Sequence, residues 1–446
     1  MGGRIGSARR GAAIGVGAVL LGGVLATPAA AGGVAVERVS LANAGAQIAA
    51  GVDGGDPIDA SRDGRYVVFV SGDANIVADD TNNTSDVFVR DTVSDTTVRV
   101  SVRSDGGEAN AASYAPRISG DGRYVVFGSS ASNLVSGDTN GEPDVFRHDL
   151  QTGKTIRVSV TYKGRQANGD SGSADISDDG TRIVFVSSAR NLVAARDRTP
   201  SYSEVYLRDV AAKRTVRVAV SSSGRQANEQ VDGPIISGDG STIAFQTGAG
   251  NLVRGDDNGQ SDVFVVKVAT GAVRIASRSA GGTASDGQSW ADDLSRTGRY
   301  LLLETLATNL APGDTNGTTD VYRKDLQRGG VVRVSVADDE SQSSDSGTWG
   351  RISETGRYVT FTSQATDLVP GPDSFSTTDC FLRDITGKTT RRVSLTSGGG
   401  NPSGGAVYWC VVVAGGASAF FTSSATDIVP GDTNGLPDIF LRSSIS

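Results

Sequence analysis

Histidine occurs once in the 446 residues, at position 148, cysteine occurs twice, at 380 and 410, and the only methionine opens the chain. A Ser-His-Asp triad would therefore depend on His148 alone. Two cysteines and one histidine fall short of the Cys and His sets of a structural four-ligand zinc site, which makes one implausible. Basic residues are also in deficit, 42 Lys and Arg against 50 Asp and Glu, for a net charge of −8. That balance excludes nucleic acid as the expected partner. No window carries the 3.6-residue period of an amphipathic helix. Beyond the first 31 residues no apolar run is long enough to cross a bilayer.

The first residues read as a secretory leader. Arg4, Arg9 and Arg10 precede an apolar stretch from Gly11 to Ala26, and Ala29 and Ala31 fit a small-x-small cleavage rule. The expected leader is 1–31, and its removal takes the charge to −11. Arg9-Arg10 also allows a twin-arginine reading, opposed by the small Gly11-Ala12-Ala13 that follow. An oxidising destination permits a Cys380–Cys410 disulfide. Two small buried hydrophobes are the equal alternative, because the residues hold different repeat positions.

What fills the rest of the chain is one segment repeated seven times. Copies start at Ser61, Ser119, Ser177, Ser237, Ser295, Ser353 and, degenerately, Val413, at intervals of 58, 58, 60, 58, 58 and 60 residues. Each copy holds four short apolar runs separated by turn residues. In the second copy these are Ala115 to Ile118, Arg123 to Ser129, Asp144 to Leu150 and Thr155 to Val160. Tyr124-Val125-Val126-Phe127 is apolar on both faces, as a strand between covered sheets must be. Ile156, Val158 and Val160 alternate with polar residues, as an outermost strand should. Four-stranded units repeated radially predict an all-β, seven-bladed β-propeller over 32–446. The seventh copy ends after its third strand, and Arg38-Val39-Ser40-Leu41 matches Arg392-Val393-Ser394-Leu395 of the sixth. A strand at 36–41 is therefore expected to complete the last blade and close the ring.

The motif Ser-x-Asp-Gly-x-x-(Val/Ile)-x-Phe, at Ser119 to Phe127, Ser177 to Phe185 and Ser237 to Phe245, resembles the WD-like propeller repeat of TolB-type secreted bacterial proteins. The resemblance spans nearly the whole mature chain. It implies the fold and leaves the function open, because such propellers serve as scaffolds, receptors and peptidase lids. The chain departs from TolB in having no separate N-terminal α/β domain, and from the peptidases in having no hydrolase domain.

Several groups could carry chemistry. Asp-Thr-Asn-Gly-x-x-Asp places Asp138, Asn140 and Asp144, and again Asp314, Asn316 and Asp320, at spacings reminiscent of a calcium loop. The favoured reading is a left-handed Asn-Gly turn whose aspartates accept backbone N–H bonds, with no cofactor expected. Asp197 to Pro200 and Asp373 to Phe375 lose the pattern. Positions equivalent to His148 hold Arg90, Arg208, Val266, Lys324, Arg383 and Arg442, which reads as a polar surface position. Asp292-Asp293 are neighbours in a strand and should face opposite ways, which argues against a cooperating pair.

Aromatic residues gather at the start of the first strands: Tyr114, Trp290, Trp349, Tyr408 and Trp409. With Asp175, Asp232, Asp292 and Asp345 nearby they would form an aromatic, acidic rim suited to a ligand. Packing between blades is the competing reading. Asn110, Asn168 and Asn228 read as loop scaffolding. The sequence is best read as a secreted or periplasmic, monomeric, non-catalytic propeller that binds an envelope or extracellular protein. A glycan ligand, or a carboxylate-dependent hydrolase or lyase, is the alternative.

Overall fold

In six of the seven copies the chain runs from the innermost strand outward, so that four antiparallel strands in sequence order form one blade. A computed structural model describes residues 35–194, 202–371 and 377–445; the expected leader at 1–31 and the loop residues Asp197–Pro200 and Asp373–Phe375 lie outside the described residues. Seven four-stranded sheets make a seven-bladed propeller. Blade 2 shows the pattern, with strands Ser113–Ile118, Tyr124–Ser129, Asp144–Asp149 and Lys154–Arg157. Its second strand is buried almost throughout; in its fourth, Lys154 is exposed, Thr155 is buried and Ile156 and Arg157 are half-buried, so the expected alternation with Ile156 inside is not kept.

Burial follows the wedge geometry. Aromatic pairs from the second and third strands, Phe69–Phe88, Phe127–Phe146 and Phe245–Phe264 among them, stack at 5.7, 6.0 and 5.7 Å and fill the gaps between neighbouring sheets. The Ser-x-Asp-Gly turns meet at one end of the central channel. There the backbone links blade to blade, Asp178 N–H to Gly238 O at 2.8 Å, Asp239 N–H to Arg296 O at 2.8 Å and Ala414 N–H to Arg62 O at 2.9 Å. Antiparallel order puts the starts of the first strands and the second-to-third connections at the other end, which carries the longer loops and is called the wide end below.

The ring closes through the N-terminal segment. Val36–Arg38 pairs antiparallel with Asp438–Ser443, in the register Val36 to Arg442 and Arg38 to Phe440. The paired strand is shorter than the expected 36–41. Val39 N–H still bonds Ile439 O at 2.7 Å, but the chain then turns, and Leu41 makes only an isolated bridge to Gln47. The cause is common to the blades: in blade 6, Val393 N–H bonds Cys380 O at 2.8 Å and Leu395 N–H folds back onto Val393 O. A fourth strand must leave its sheet there to cross to the next blade.

One further expectation changes, and one left open is decided. His148 is buried, 5 % exposed, because the third-strand position points between blades rather than to solvent. Its Nδ1 lies 2.9 Å from Thr155 Oγ1, and Thr155 donates onward to Val102 O of the preceding blade at 2.5 Å. The two cysteines form a disulfide, Cα atoms 6.0 Å apart, joining the third strand of blade 6 to the first strand of blade 7.

Candidate binding face at the wide end of the channel

Two residues before each Ser-x-Asp-Gly turn, the innermost strands project one side chain toward the channel axis: Asp59, Arg117, Asp175, Ile235, Asp293, Arg351 and Val411. Aspartates of the odd blades reach to the next blade. Asp59 accepts from Ile118 N–H at 2.9 Å, Asp175 from Ile236 N–H at 2.7 Å and Asp293 from Ile352 N–H at 2.9 Å. Burial pushes the Asp175 carboxyl up to about 6 against the pull of Arg117. At the narrow end Arg62 pairs with Asp178 and, at 3.2 Å, with Glu354, and Arg296 reaches Asp178 at 3.1 Å. These pairs cross the axis and leave a polar cavity of about 140 Å³ between the two charged layers.

Above this ring each full-length inner strand carries a bulge, where its pairing with the second strand slips. In four blades the bulged residue adopts left-handed backbone: Ala115 at φ 48°, Ser173 at 45°, Gly233 at 58° and Trp349 at 51°. Three are small. A large side chain there is a genuine outlier. The bulge turns its N–H toward the preceding blade, so Ala115 donates to Asp56 Oδ1 at 2.8 Å and Trp349 donates to Glu304 Oε1.

The five aromatic residues separate into two groups. Tyr114 is half-buried and lies over Gly128, where a Cβ would come within 2.6 Å of the ring. Tyr408 lies against Gly54, and Trp290, also half-buried, stands across from Glu304 in the strand pair. Trp409 donates from Nε1 to Gly54 O at 3.2 Å. These four are half-buried: Tyr408 and Trp409 reach blade 1, as packing between blades expects, and Tyr114 and Trp290 contact their own blades. Trp349 is 44 % exposed and stacks across the blade boundary on Trp409 with centroids 5.0 Å apart.

Beneath that stack sits a carboxyl pair that sequence reasoning missed. Asp292 shares a hydrogen bond with Glu304 of the adjacent strand, and burial together with that neighbour drives the Asp292 pKa well above the usual carboxylate range. Burial raises Glu304 too, opposed by the Trp349 N–H. Arg351 donates to Asp292 O at 3.3 Å, and Asp293 is separately engaged in the channel ring. Asp292 and Asp293 thus do face different ways, and Asp292 finds its partner elsewhere. The available signal was a lone glutamate at the second-strand position that otherwise reads Val70, Gly128, Val186, Gln246, Thr362 and Thr422.

Other candidates are placed as follows. Asp232 accepts from Gln230 Nε2 at 2.8 Å, and Asp345 Oδ1 accepts from Ser346 N–H at 2.7 Å. Asn110 and Asn168 hold neighbouring loops, their N–H groups bonding Asn133 and Asn191. Asp138 and Asp144 flank Arg157 at 3.5 and 3.4 Å, with Gln166 on Asp138 and Ser159 on Asp144. Asp314 and Asp320 hold Arg333, both at 3.6 Å, and share Gln342. These aspartates are engaged by guanidinium, amide and hydroxyl groups rather than by the expected backbone N–H bonds. Asn140 and Asn316 direct their Nδ2 donors to Ala167 O and Ser343 O, both at 3.1 Å. No cluster of three or more metal-ligating acidic, His or Cys side chains occurs among the described residues.

No family model and no curated protein matches this chain. Solved structures do. An oligogalacturonate lyase in complex with manganese aligns over 92 % of this chain and 96 % of its own, at 14 % identity and a TM-score of 0.51. The β-propeller domain of the trilobed protease from Pyrococcus furiosus, described as having an open velcro topology, aligns over 86 % and 94 % at 11 % identity and a TM-score of 0.51. TolB from Acinetobacter baumannii aligns over 75 % of this chain at 15 % identity and a TM-score of 0.40, and this chain spans 64 % of its length. The likeness is one of fold. It extends to TolB and to other propellers alike, at low identity.

Proposed function

We propose that this chain is a secreted or cell-envelope propeller that binds a protein partner on the wide face of its ring and does no chemistry there. One observation carries the reading: Trp349 is held in left-handed backbone and left 44 % exposed at the channel mouth. Strained conformations of this kind cluster at active sites, ligand clamps and switches, and tryptophan is among the residues enriched at the hot spots of protein interfaces. The support is Trp409, fixed in turn by Gly54. The carboxyls of Asp292 and Glu304 lie below the stack and are engaged with each other and with backbone N–H groups, which favours a positioning role over turnover.

The same stack would suit a sugar ring, and one of the similar folds is a lyase named for oligogalacturonate. The test compares the chain from Gly32 onward with its Trp349→Ala variant, both as affinity baits for extracellular proteins and on a glycan array. A protein retained stoichiometrically by the wild type and lost with Trp349→Ala is the expected result. Saturable glycan binding that depends on Trp349, without a retained protein, would overturn it in favour of a lectin.

A further inference from the structure

Cations cover aromatic rings through much of this molecule. Arg65 lies over Tyr66 at 4.8 Å, Arg123 and Arg147 lie over Tyr124 at 4.8 and 4.2 Å, and Arg357 lies over Tyr358 at 4.7 Å. Among the described residues no such contact is made to a tryptophan, although the indole face is the strongest of the three aromatic platforms for a cation. The reason is local composition. The wide-end connections of blades 6, 7 and 1, in their described parts at 343–346, 364–371, 377–378, 401–406, 424–437, 47–58 and 72–85, contain no lysine or arginine. They do contain aspartates, and Asp53, Asp367 and Asp427 are exposed. Arg351, the nearest basic residue of the channel ring, points to the Asp292 and Gly350 carbonyls.

The most exposed indole of the chain thus lies among connections that carry no cation of their own, and the arginines that reach this sector, Arg38, Arg99 and Arg392, are engaged by Asp432, Asp80 and Asp379. Resting on the protein-binding reading above, we infer that the group received on Trp349 is a cation, the guanidinium or ammonium of a basic protein segment laid across blades 6, 7 and 1. The Trp349–Trp409 stack supplies the π face, and the surrounding carboxylates supply the field that draws a basic chain toward an acidic protein.

The test uses the full mature chain and two short peptides, acetyl-Gly-Arg-Gly-Arg-Gly-amide and the same peptide with citrulline for arginine, titrated against tryptophan fluorescence at low and physiological salt. Citrulline keeps the shape and removes the charge. The arginine peptide is expected to bind about ten-fold tighter than the citrulline peptide, with that preference lost in Trp349→Ala and partly kept in Trp349→Phe. Equal affinity for both peptides, or unchanged arginine-peptide affinity in Trp349→Ala, would overturn the inference. The two proposals fail separately. A protein partner captured through Trp349 whose contact segment binds equally well with its basic residues neutralised refutes the cation alone. Trp349-dependent arginine-peptide binding without a retained protein supports the cation and refutes the protein-partner reading.

Discussion

Trp349 and His148 illustrate how one side chain can be read against six equivalents. At Trp349 the backbone sits at φ 51°, where a Cβ is penalised and glycine is not. Trp349→Gly is therefore expected to be more stable than Trp349→Ala by about 1 kcal/mol, the reverse of the usual order within a strand. Equal melting temperatures, or a more stable alanine variant, would remove the strain argument. His148 is the only imidazole, so its titration can be followed without assignment. Burial lowers its pKa to about 4. Its neutral form therefore supports the fold fully above about 6.5, and that support is lost as pH falls toward 4. An NMR titration showing an ordinary value near 6.5 would contradict the buried inter-blade position. The position was legible as a run of cations, and surface exposure was the wrong inference from it. The buried guanidinium groups of Arg90 and Arg383, each 2 % exposed, bond Thr97 and Thr390 within the blade and reach Asp95 and Glu340, and Arg383 also donates to Ala337 O of the preceding blade.

At the scale of elements, the N-terminal segment supplies more than a strand. Arg38 lies 3.6 Å from both Asp432 and Asp438, Ser40 bonds Asp438 at 2.5 Å, and Gln47 reaches both aspartates. The same Arg, Ser and Gln act within blades 2 and 5, where they come from the blade's own fourth strand and the connection that follows it. Deleting Val34 to Asn43 would strip Val39 from the core and leave the buried Asp438 without its cation, a loss of about 3 to 5 kcal/mol for the pair alone. Calorimetry should show melting several degrees lower, or gel filtration should show oligomers formed by exchange of the free edge. An unchanged melt and a monomeric elution would contradict closure by this segment. The disulfide makes a second seam, between blades 6 and 7, with a sequence separation of 30. By loop entropy its reduction should cost roughly 3 to 4 kcal/mol, read as a lower melting temperature in reductant that Cys410→Ser reproduces. The closing strand was legible because it repeats Arg392 to Leu395. The disulfide was not, because the two cysteines occupy different repeat positions and only the assembled ring brings them together.

For the whole molecule, the repeat specified seven blades and their order, and the channel was the part it concealed. Asp59, Arg117, Asp175, Asp293 and Arg351 occupy one equivalent position, yet a motif search that begins at the following serine passes over it. Their charges matter only once seven blades converge on an axis. The consequence is a pH dependence of defined sign. Asp175 titrates near 6 in the fold, above its unfolded value, so its contribution is most favourable at low pH and is lost as pH rises from about 4 to 6. Asp325 and Asp384 act oppositely: Arg299 and Arg357 hold them down to about 2, and their contribution is present above about 4 and lost below it. Asp175→Asn is therefore expected to raise the melting temperature at pH 7 relative to wild type, with the gain vanishing by pH 4. A gain of the same size at both pH values would refute the buried charge.

Binding at the wide face is the claim on which the functional account depends, and site-specific photo-crosslinking tests it most directly. A photoreactive amino acid replaces Asp345 at the wide end or Arg296 at the narrow end, and each protein is exposed to the extracellular fraction and irradiated. The account predicts a discrete protein adduct from position 345 that disappears when Trp349→Ala is added, and none from position 296. An adduct from position 296 alone, or one from position 345 indifferent to Trp349, would contradict it.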